Sequence, residues 1–403
     1  MGATPLPRVG DEFELAIDAL ASGGEGVGRA DGLVVFVPGA APGDRARVRV
    51  ERVEMRFLRA RVVELLAASP ERRAPRCAHF GDCGGCTWQH VTPAAQHAAK
   101  RAFVRDALER IAGVRLERPV ELLAGPEWGW RARAELSWRR DERAAAALGY
   151  RRAQSHAVVP VRECPVLVPA AEQGLVEASA SLARRRDVDP VDVHGRAWLA
   201  CGDDECVLAG LPGDDAPPGT ITQRIAGFSF EFDVDGFFQG NRALVETLVE
   251  RAVGDAQGAL AYDLFAGAGL FTLPLTRRFR HVVGVEGSAR AARQLAENAR
   301  ANRIDNLRAE HEDVARWLVR VPRAKPDLVL LDPPRAGAGV ELARALVELA
   351  PPRIVHVACD PATLARDVKV LLAGGYALRD VVALDLFPQT PHVECIARLD
   401  RVG

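Results

Sequence analysis

Ala259-Leu-Ala-Tyr-Asp263-Leu-Phe265-Ala-Gly267-Ala-Gly269-Leu-Phe-Thr272 is the stretch that decides the fold. The apolar run Ala259–Phe265 predicts a buried strand, the two glycines a tight turn, and Leu270–Arg278 a helix. Val282–Val285 is the next apolar strand, and it ends on Glu286. Strand, glycine turn, helix, strand and acid in that order predict a nucleotide-binding unit, in which a carboxylate about 20 residues beyond the turn holds ribose hydroxyls. The third glycine of an NAD fingerprint is missing, which argues against that dinucleotide.

Downstream the alternation of strands and helices continues, so the chain from 235 to 403 reads as a parallel α/β domain. Asp327–Leu331 is a strand ending in Asp332-Pro333-Pro334-Arg335. An acid held by two prolines at the carboxyl edge of a sheet suits a cofactor or substrate wall; the plainer alternative is a stiffened loop. Ile354–Ala358 is a short apolar strand followed by Cys359-Asp360-Pro361 and a helical run with Thr363 as N-cap. After Gly374-Gly375 come an apolar stretch, Tyr376–Leu386, and then Phe387-Pro-Gln389-Thr-Pro-His392-Val-Glu394. A cysteine just past a strand tip, opposite a glutamate entering a last strand, pairs a nucleophile with a base. A thiol of pKa about 8.5 is mostly protonated at neutral pH, and the dipole of the helix starting near Pro361 is expected to lower it.

Toward the N-terminus, Phe13–Ile17, Leu33–Val37, Ala46–Val53 and Leu58–Val63 are candidate strands separated by glycine turns, which fits a small OB-type barrel over 8–67. Such barrels commonly bind oligonucleotides. Seven arginines against Glu51 and Glu54 between Arg45 and Arg61 are either a nucleic-acid surface or an ordinary solvated face. Lysine occurs only at 100, 325 and 369, so arginine clusters are discounted as a compositional bias, and a net charge of −1 adds no global sign of a nucleic-acid partner.

The middle segment, 70–230, carries Cys77-Ala-His79-Phe-Gly-Asp-Cys83-Gly-Gly-Cys86. This is metal-site spacing, and Cys164-Pro165 is the best candidate for a fourth ligand because Cys-Pro often closes iron–sulfur sites. Zinc with His79 or His90 competes, as do three unrelated buried cysteines. Thr92–Ile111 predicts a helix. Trp128-Gly-Trp130-Arg131-Ala-Arg133 opens a set of strands whose interleaved aromatics and arginines suit either base stacking or cross-strand pairing. Leu211–Thr220 reads as a loop. Cys201 and Cys206 receive no role, and no disulfide framework is expected, because the chain lacks both a secretory signal and an apolar run long enough to span a membrane. A cytosolic protein is the expectation.

Taken in order, Cys77…Cys83-Gly-Gly-Cys86, Cys164-Pro165, Phe237-Phe238-Gln239, Asp263-Leu-Phe265, Gly284-Val-Glu286, Asp332-Pro-Pro-Arg335, Cys359-Asp-Pro-Ala-Thr-Leu-Ala-Arg366 and Phe387-Pro-Gln-Thr-Pro-His-Val-Glu394 resemble the bacterial RNA 5-methyluridine methyltransferases over essentially the whole chain. The N-terminal barrel looks like the TRAM module that some members carry. The resemblance implies a class I S-adenosylmethionine (Rossmann-like) domain, a [4Fe–4S] cluster on Cys77, Cys83, Cys86 and Cys164, and methylation of carbon 5 of an RNA uridine. Cys359 is then the nucleophile and Glu394 the base. Gln239, Phe265, Glu286 and Asp332 match cofactor-contacting positions, with Asp313 a further candidate near the adenine. The implied partner is RNA, large-subunit ribosomal RNA before transfer RNA, for a monomer that binds neither DNA nor membrane. This chain departs at Ala358, where serine is commoner, at Asp360, where asparagine is, and at Cys395, where a hydroxyl residue is. Amino-group methyltransferases normally follow their acid-Pro-Pro motif with an aromatic, here Arg335, and need no cysteine. An RNA-binding factor with a vestigial fold is the non-enzymatic rival. Radical chemistry is disfavoured by the spacing of Cys77, Cys83 and Cys86.

Overall fold

The structure, a computed structural model, describes residues 7–140, 146–153, 155–184, 193–214, 217–320 and 325–402. Its centre is an eight-stranded sheet in the order Leu307–His311, Phe279–Glu286, Gly258–Leu264, Leu328–Leu331, Arg353–Ala358, Glu394–Arg401, Tyr376–Asp385, Glu121–Ala124. Neighbours run parallel except Glu394–Arg401, which is antiparallel to both of its partners. All four residues of Leu328–Leu331 are buried, as a strand covered on both faces requires. Helices Val245–Val253 and Ala289–Ala301 pack on one face together with the hairpin Thr220–Ile225/Phe228–Asp233. Pro93–Ala107, Val314–Arg320, Val340–Leu349 and Pro361–Ala373 cover the other. The expected parallel α/β domain is present, with its last-formed strand inserted in reverse.

Pieces of the middle segment are built into this domain. Helix Pro93–Ala107 starts where expected: the Thr92 hydroxyl accepts from the Ala95 N–H at 3.4 Å, and proline occupies the first turn. It ends in a wider turn, Leu108–Ala112, closed by Gly113 in left-handed backbone. Strand Glu121–Ala124, which the sequence did not announce, adds the outermost strand beside Val382–Asp385. Lys100 reaches inward from the helix, fully buried, to donate to Asp385 Oδ1 at 2.5 Å and to the Phe387 carbonyl at 3.0 Å. Burial pushes its ammonium down and Asp385 opposes that.

The rest of the middle segment forms a five-stranded sheet, Val158–Pro160, Ala147–Arg151, Arg133–Arg140, Val193–Cys201, Cys206–Ala209, backed by helix Pro169–Arg184. Of the loop expected over 211–220, residues 215 and 216 lie outside the described residues. Cys201 and Cys206 are register partners at the end of a hairpin, 4.0 Å apart at Cα, and are joined as a disulfide, contrary to the expectation for this pair.

The N-terminal sheet has six strands, Glu12–Ala16, Arg45–Val53, Phe57–Ala67, Leu33–Val37, Gly26–Ala30, Ala19–Leu20, curled around Leu15, Val35, Val48 and Leu58. Glycine is required at 28, because a Cβ there would stand 2.3 Å from the Ala16 carbonyl oxygen where the two ends of the sheet converge. Six of the seven arginines over 45–61 pair with glutamates: Arg45 with Glu14, Arg47 with Glu64, Arg49 with Glu12, Arg52 with Glu54, Arg59 with Glu25 and Arg61 with Glu51. The face is therefore of mixed charge. No helix among the described residues is long and apolar enough to cross a membrane.

Because Lys100 and Asp385 are buried together, Lys100→Met leaves Asp385 with His97, 3.2 Å away, as its remaining ionic partner. The expected loss is roughly 3–5 kcal/mol of stability. Urea denaturation of the full chain measures it; an unmoved midpoint would show that the pair contributes nothing.

Candidate active site at the carboxyl edge of the sheet

The site is assembled at the carboxyl ends of the parallel strands. Leu264 is in register with Val285 on one side and Leu331 on the other, so Phe265, Glu286 and Asp332 emerge at one level. Chain order reverses between Gly258–Leu264 and Leu328–Leu331, which opens the crevice where such sheets bind ligands. Phe265 (φ +64°) and Gly267 (φ +55°) turn in left-handed backbone. At Gly269 a Cβ would meet Leu273 and Leu295 at 2.6 Å. Glu286 accepts from the Gly267 N–H at 2.9 Å and the Ser288 N–H at 2.7 Å, so the glycine turn fixes its carboxylate. Asp313 sits just ahead of helix Val314–Arg320 and accepts from the Arg316 N–H at 3.1 Å.

Carboxyl groups crowd the floor of the crevice. Asp263 is buried under the turn, accepts from the Thr272 hydroxyl, and is pushed up to about 8 by burial, with Asp332 and Glu286 adding to the shift. Asp332 is pushed up to about 6 by burial, opposed by His356. His356 Nε2 lies 3.2 Å from Asp367 Oδ2, and Asp367 also accepts from the N–H groups of Ala338 (2.8 Å) and Gly339 (3.2 Å). This buried network ties the loop beyond Arg335 to helix Pro361–Ala373.

Ala358 pairs with Cys395 across the antiparallel ladder, so Cys359 and Glu394 leave adjacent strands at the same edge. Glu394 is 2% exposed and holds its proton well above the usual carboxylate range, through burial first and Asp332 second, against Arg335. Beside them opens a cavity of about 570 Å³ between the middle sheet and the eight-stranded sheet, lined among others by Arg131, Phe237, Gln239, Arg335 and His392. Phe237 is 84% exposed there. Arg335 is exposed with no ion-pair partner among the described residues. Arg133 sets the turn that carries Phe237 and Gln239, donating through Nη2 to the carbonyls of Val234 (3.1 Å) and Gly236 (2.5 Å).

On the far side of Cys86, a small cavity is lined by Cys77, Cys83, Cys86 and Cys164. Burial pushes all four thiols up, Cys86 to about 12. No group of three His, Cys, Asp or Glu side chains among the described residues is placed to hold a metal ion. His79 Nε2 accepts from the Arg162 N–H and His90 Nε2 faces the Ala40 carbonyl, which disfavours zinc with either histidine. Four thiols lining one cavity are a donor set whose chemistry suits an iron–sulfur group.

Residues 221–402 match the model of the tRNA (uracil-5-)-methyltransferase family, and residues 8–63 match the TRAM domain. The chain is 36% identical over 420 residues to the 23S rRNA (uracil(1939)-C(5))-methyltransferase RlmD of Photorhabdus laumondii, covering 95% of each. It is 37% identical over 413 residues to that of Klebsiella pneumoniae, covering 94% of this chain and 93% of the relative. The chain belongs to the RNA uracil-5-methyltransferase family. Its fold matches the tRNA (uracil-54, C5)-methyltransferase of Pyrococcus abyssi, solved with S-adenosyl-L-homocysteine, at a TM-score of 0.75 and 26% identity over 96% of this chain and 100% of that one.

In this uracil-5-methyltransferase the structure departs from two local expectations. Asp360, not Thr363, is the N-cap of helix Pro361–Ala373, and its Oδ1 accepts from the N–H groups of Ala362 (2.8 Å) and Thr363 (2.9 Å). The positive end of the helix is thus occupied by a carboxylate. Cys359 is not lowered either: burial pushes it up to about 11, Glu394 adds to the rise, and Arg335 opposes it. His356, Asp367 and Gln389 were missed as site residues. The signal for the first two was present, a histidine inside the apolar run Ile354–Ala358 and an aspartate on the buried face of a helix.

A thiol held near 11 is almost wholly protonated at pH 7, so its thiolate fraction rises as pH climbs. Alkylation of Cys359 by iodoacetamide in the ligand-free protein is expected to speed up about tenfold per pH unit from 7 to 9. Mass spectrometry of the Cys359 peptide follows it, and a plateau below pH 8 would contradict the raised value.

Proposed function

We propose that this protein methylates carbon 5 of a uridine in 23S ribosomal RNA through a covalent bond from Cys359 to carbon 6. The observation that carries the reading is the emergence of Cys359 and Glu394 side by side at the edge of the cleft lined by Gln239, Arg335 and His392. Identities of 36–37% to ribosomal RNA enzymes against 26% to the transfer RNA enzyme favour ribosomal over transfer RNA. Arg335 after Asp332-Pro-Pro and the Cys359–Glu394 pair disfavour both amino-group transfer and a non-catalytic role.

Carbon 5 of uracil is a weak nucleophile. Addition of Cys359 Sγ at carbon 6, with loss of the thiol proton, forms an enolate that makes carbon 5 reactive. S-adenosylmethionine, when bound, supplies the methyl group. Glu394 then removes the proton from carbon 5, the electron pair restores the 5,6 double bond, and the carbon–sulfur bond breaks to release Cys359. One proton leaves per methyl gained. Exposed Arg335 favours the anionic forms of Cys359 and Glu394. Glu286 holds the ribose hydroxyls of the donor, and Gln239, Phe265 and Asp332 complete its seat, with Asp313 toward the adenine. The target base must leave its stack to reach Cys359.

In this reading Cys77, Cys83, Cys86 and Cys164 hold a [4Fe–4S] cluster that shapes the wall of the RNA cleft. The curled N-terminal sheet is an OB-type TRAM barrel, and the chain works as a cytosolic monomer in three parts, 8–67, 70–230 and 235–403.

Protein purified anaerobically is expected to place label from S-adenosylmethionine on carbon 5 of one 23S uridine, and Cys359→Ala to place none. Mapping the labelled base decides it. Label confined to transfer RNA would overturn the substrate, and no label on either RNA the reaction.

A further inference from the structure

The loop 386–392, which delivers His392 and Glu394, is held from the cysteine side of the molecule, and Gln389 is its apex. Gln389 is 1% exposed and sits in left-handed backbone (φ +69°), a conformation a buried glutamine holds only when its surroundings impose it. Its carbonyl accepts from two consecutive backbone N–H groups, Thr87 and Trp88, both at 3.0 Å, the first residues after Cys86. Its side-chain oxygen accepts from Arg73 and Gln96, each at 3.0 Å, and its side-chain nitrogen donates to Glu127 at 3.3 Å. Gln96 accepts from the Gln389 N–H at 3.1 Å and donates to the carbonyls of Trp88 (3.0 Å) and Val91 (2.9 Å), which closes the ring of bonds. Beyond the apex, the Thr390 hydroxyl donates to the Phe387 carbonyl at 2.8 Å and accepts from the His392 N–H at 3.3 Å.

We propose that Gln389 is a positioning residue for proton removal: it locks the loop carrying His392 and Glu394 onto the turn Cys83–Trp88, so the placement of Glu394 depends on how that turn is folded. The inference rests on the uridine-C5 reading above, with Glu394 as the base. Loss of the clasp leaves Cys359 and the donor-seat residues Phe265, Glu286 and Asp332 in place, since these sit at the ends of other strands, and impairs the step that needs Glu394. Adduct then forms and is slow to resolve.

Gln389→Gly and Gln389→Asn both suit left-handed backbone and keep the carbonyl bonds to Thr87 and Trp88 while removing the side-chain clasp, so the fold is retained. With full-length, anaerobically purified protein and 23S rRNA, turnover is expected to fall on the order of tenfold to a hundredfold. KM for S-adenosylmethionine is expected to stay unchanged, and a covalent RNA–protein adduct to accumulate on denaturing gels as it does for Glu394→Gln. The visible absorbance of the cysteine site, read on the same samples, is expected to match the parent. Gln96→Met, which cuts the clasp from the other side, should reproduce the adduct. Parental turnover, or slow turnover without adduct, in the Gln389 variants would overturn the proposal while Glu394→Gln still trapped RNA. Absence of adduct in Glu394→Gln itself would overturn the catalytic reading, and this inference with it.

Discussion

The reversed strand Glu394–Arg401 is the constraint on which the site depends. A parallel strand in its place between Arg353–Ala358 and Tyr376–Asp385 would begin at the opposite edge of the sheet, a strand's length from Cys359. Reversal makes the start of one strand meet the end of the other, and backbone ladders on both sides hold the meeting point. The loop before Glu394 must therefore cross the mouth of the site, and it becomes the surface against which the middle segment packs.

The same placement sets the electrostatics. Burial raises Asp263, Asp332, Glu394 and Cys359, and repulsion from neighbouring acids adds to the rise in Asp263, Glu394 and Cys359. The crevice thus favours the protonated forms of these groups. A sulfonium ligand reverses that balance, since a cation among buried acids favours their ionised forms.

Much of this was legible in the sequence, and the misses share a cause. The run Ala259–Glu286 showed its strand, turn and acid because each is encoded locally, by apolar residues, glycines and one carboxylate. Cys359 and Glu394 were legible because each follows or opens a recognisable strand. Gly26-Val-Gly28-Arg-Ala30 was not among the candidate strands, yet it is a strand whose glycines answer to Ala40 and Ala16 across the sheet, contacts that no local pattern reports. Strand Glu121–Ala124 was hidden for the same reason: its partner lies some 260 residues away. Gln389 was quoted within a motif without a role, because its partners come from four separate segments. The lowered thiol failed because burial, with Glu394 beside it, outweighs what a helix end could offer, and neither is visible from the residues next to Cys359.

The ion pairs that cover the N-terminal sheet bear on how the molecule finds RNA. An arginine already neutralised by a glutamate on the next strand displaces few condensed cations when a phosphate approaches. The N-terminal sheet thus contributes shape more than field. Arg335, in the cleft, has no ion-pair partner among the described residues, so it is free to meet a phosphate.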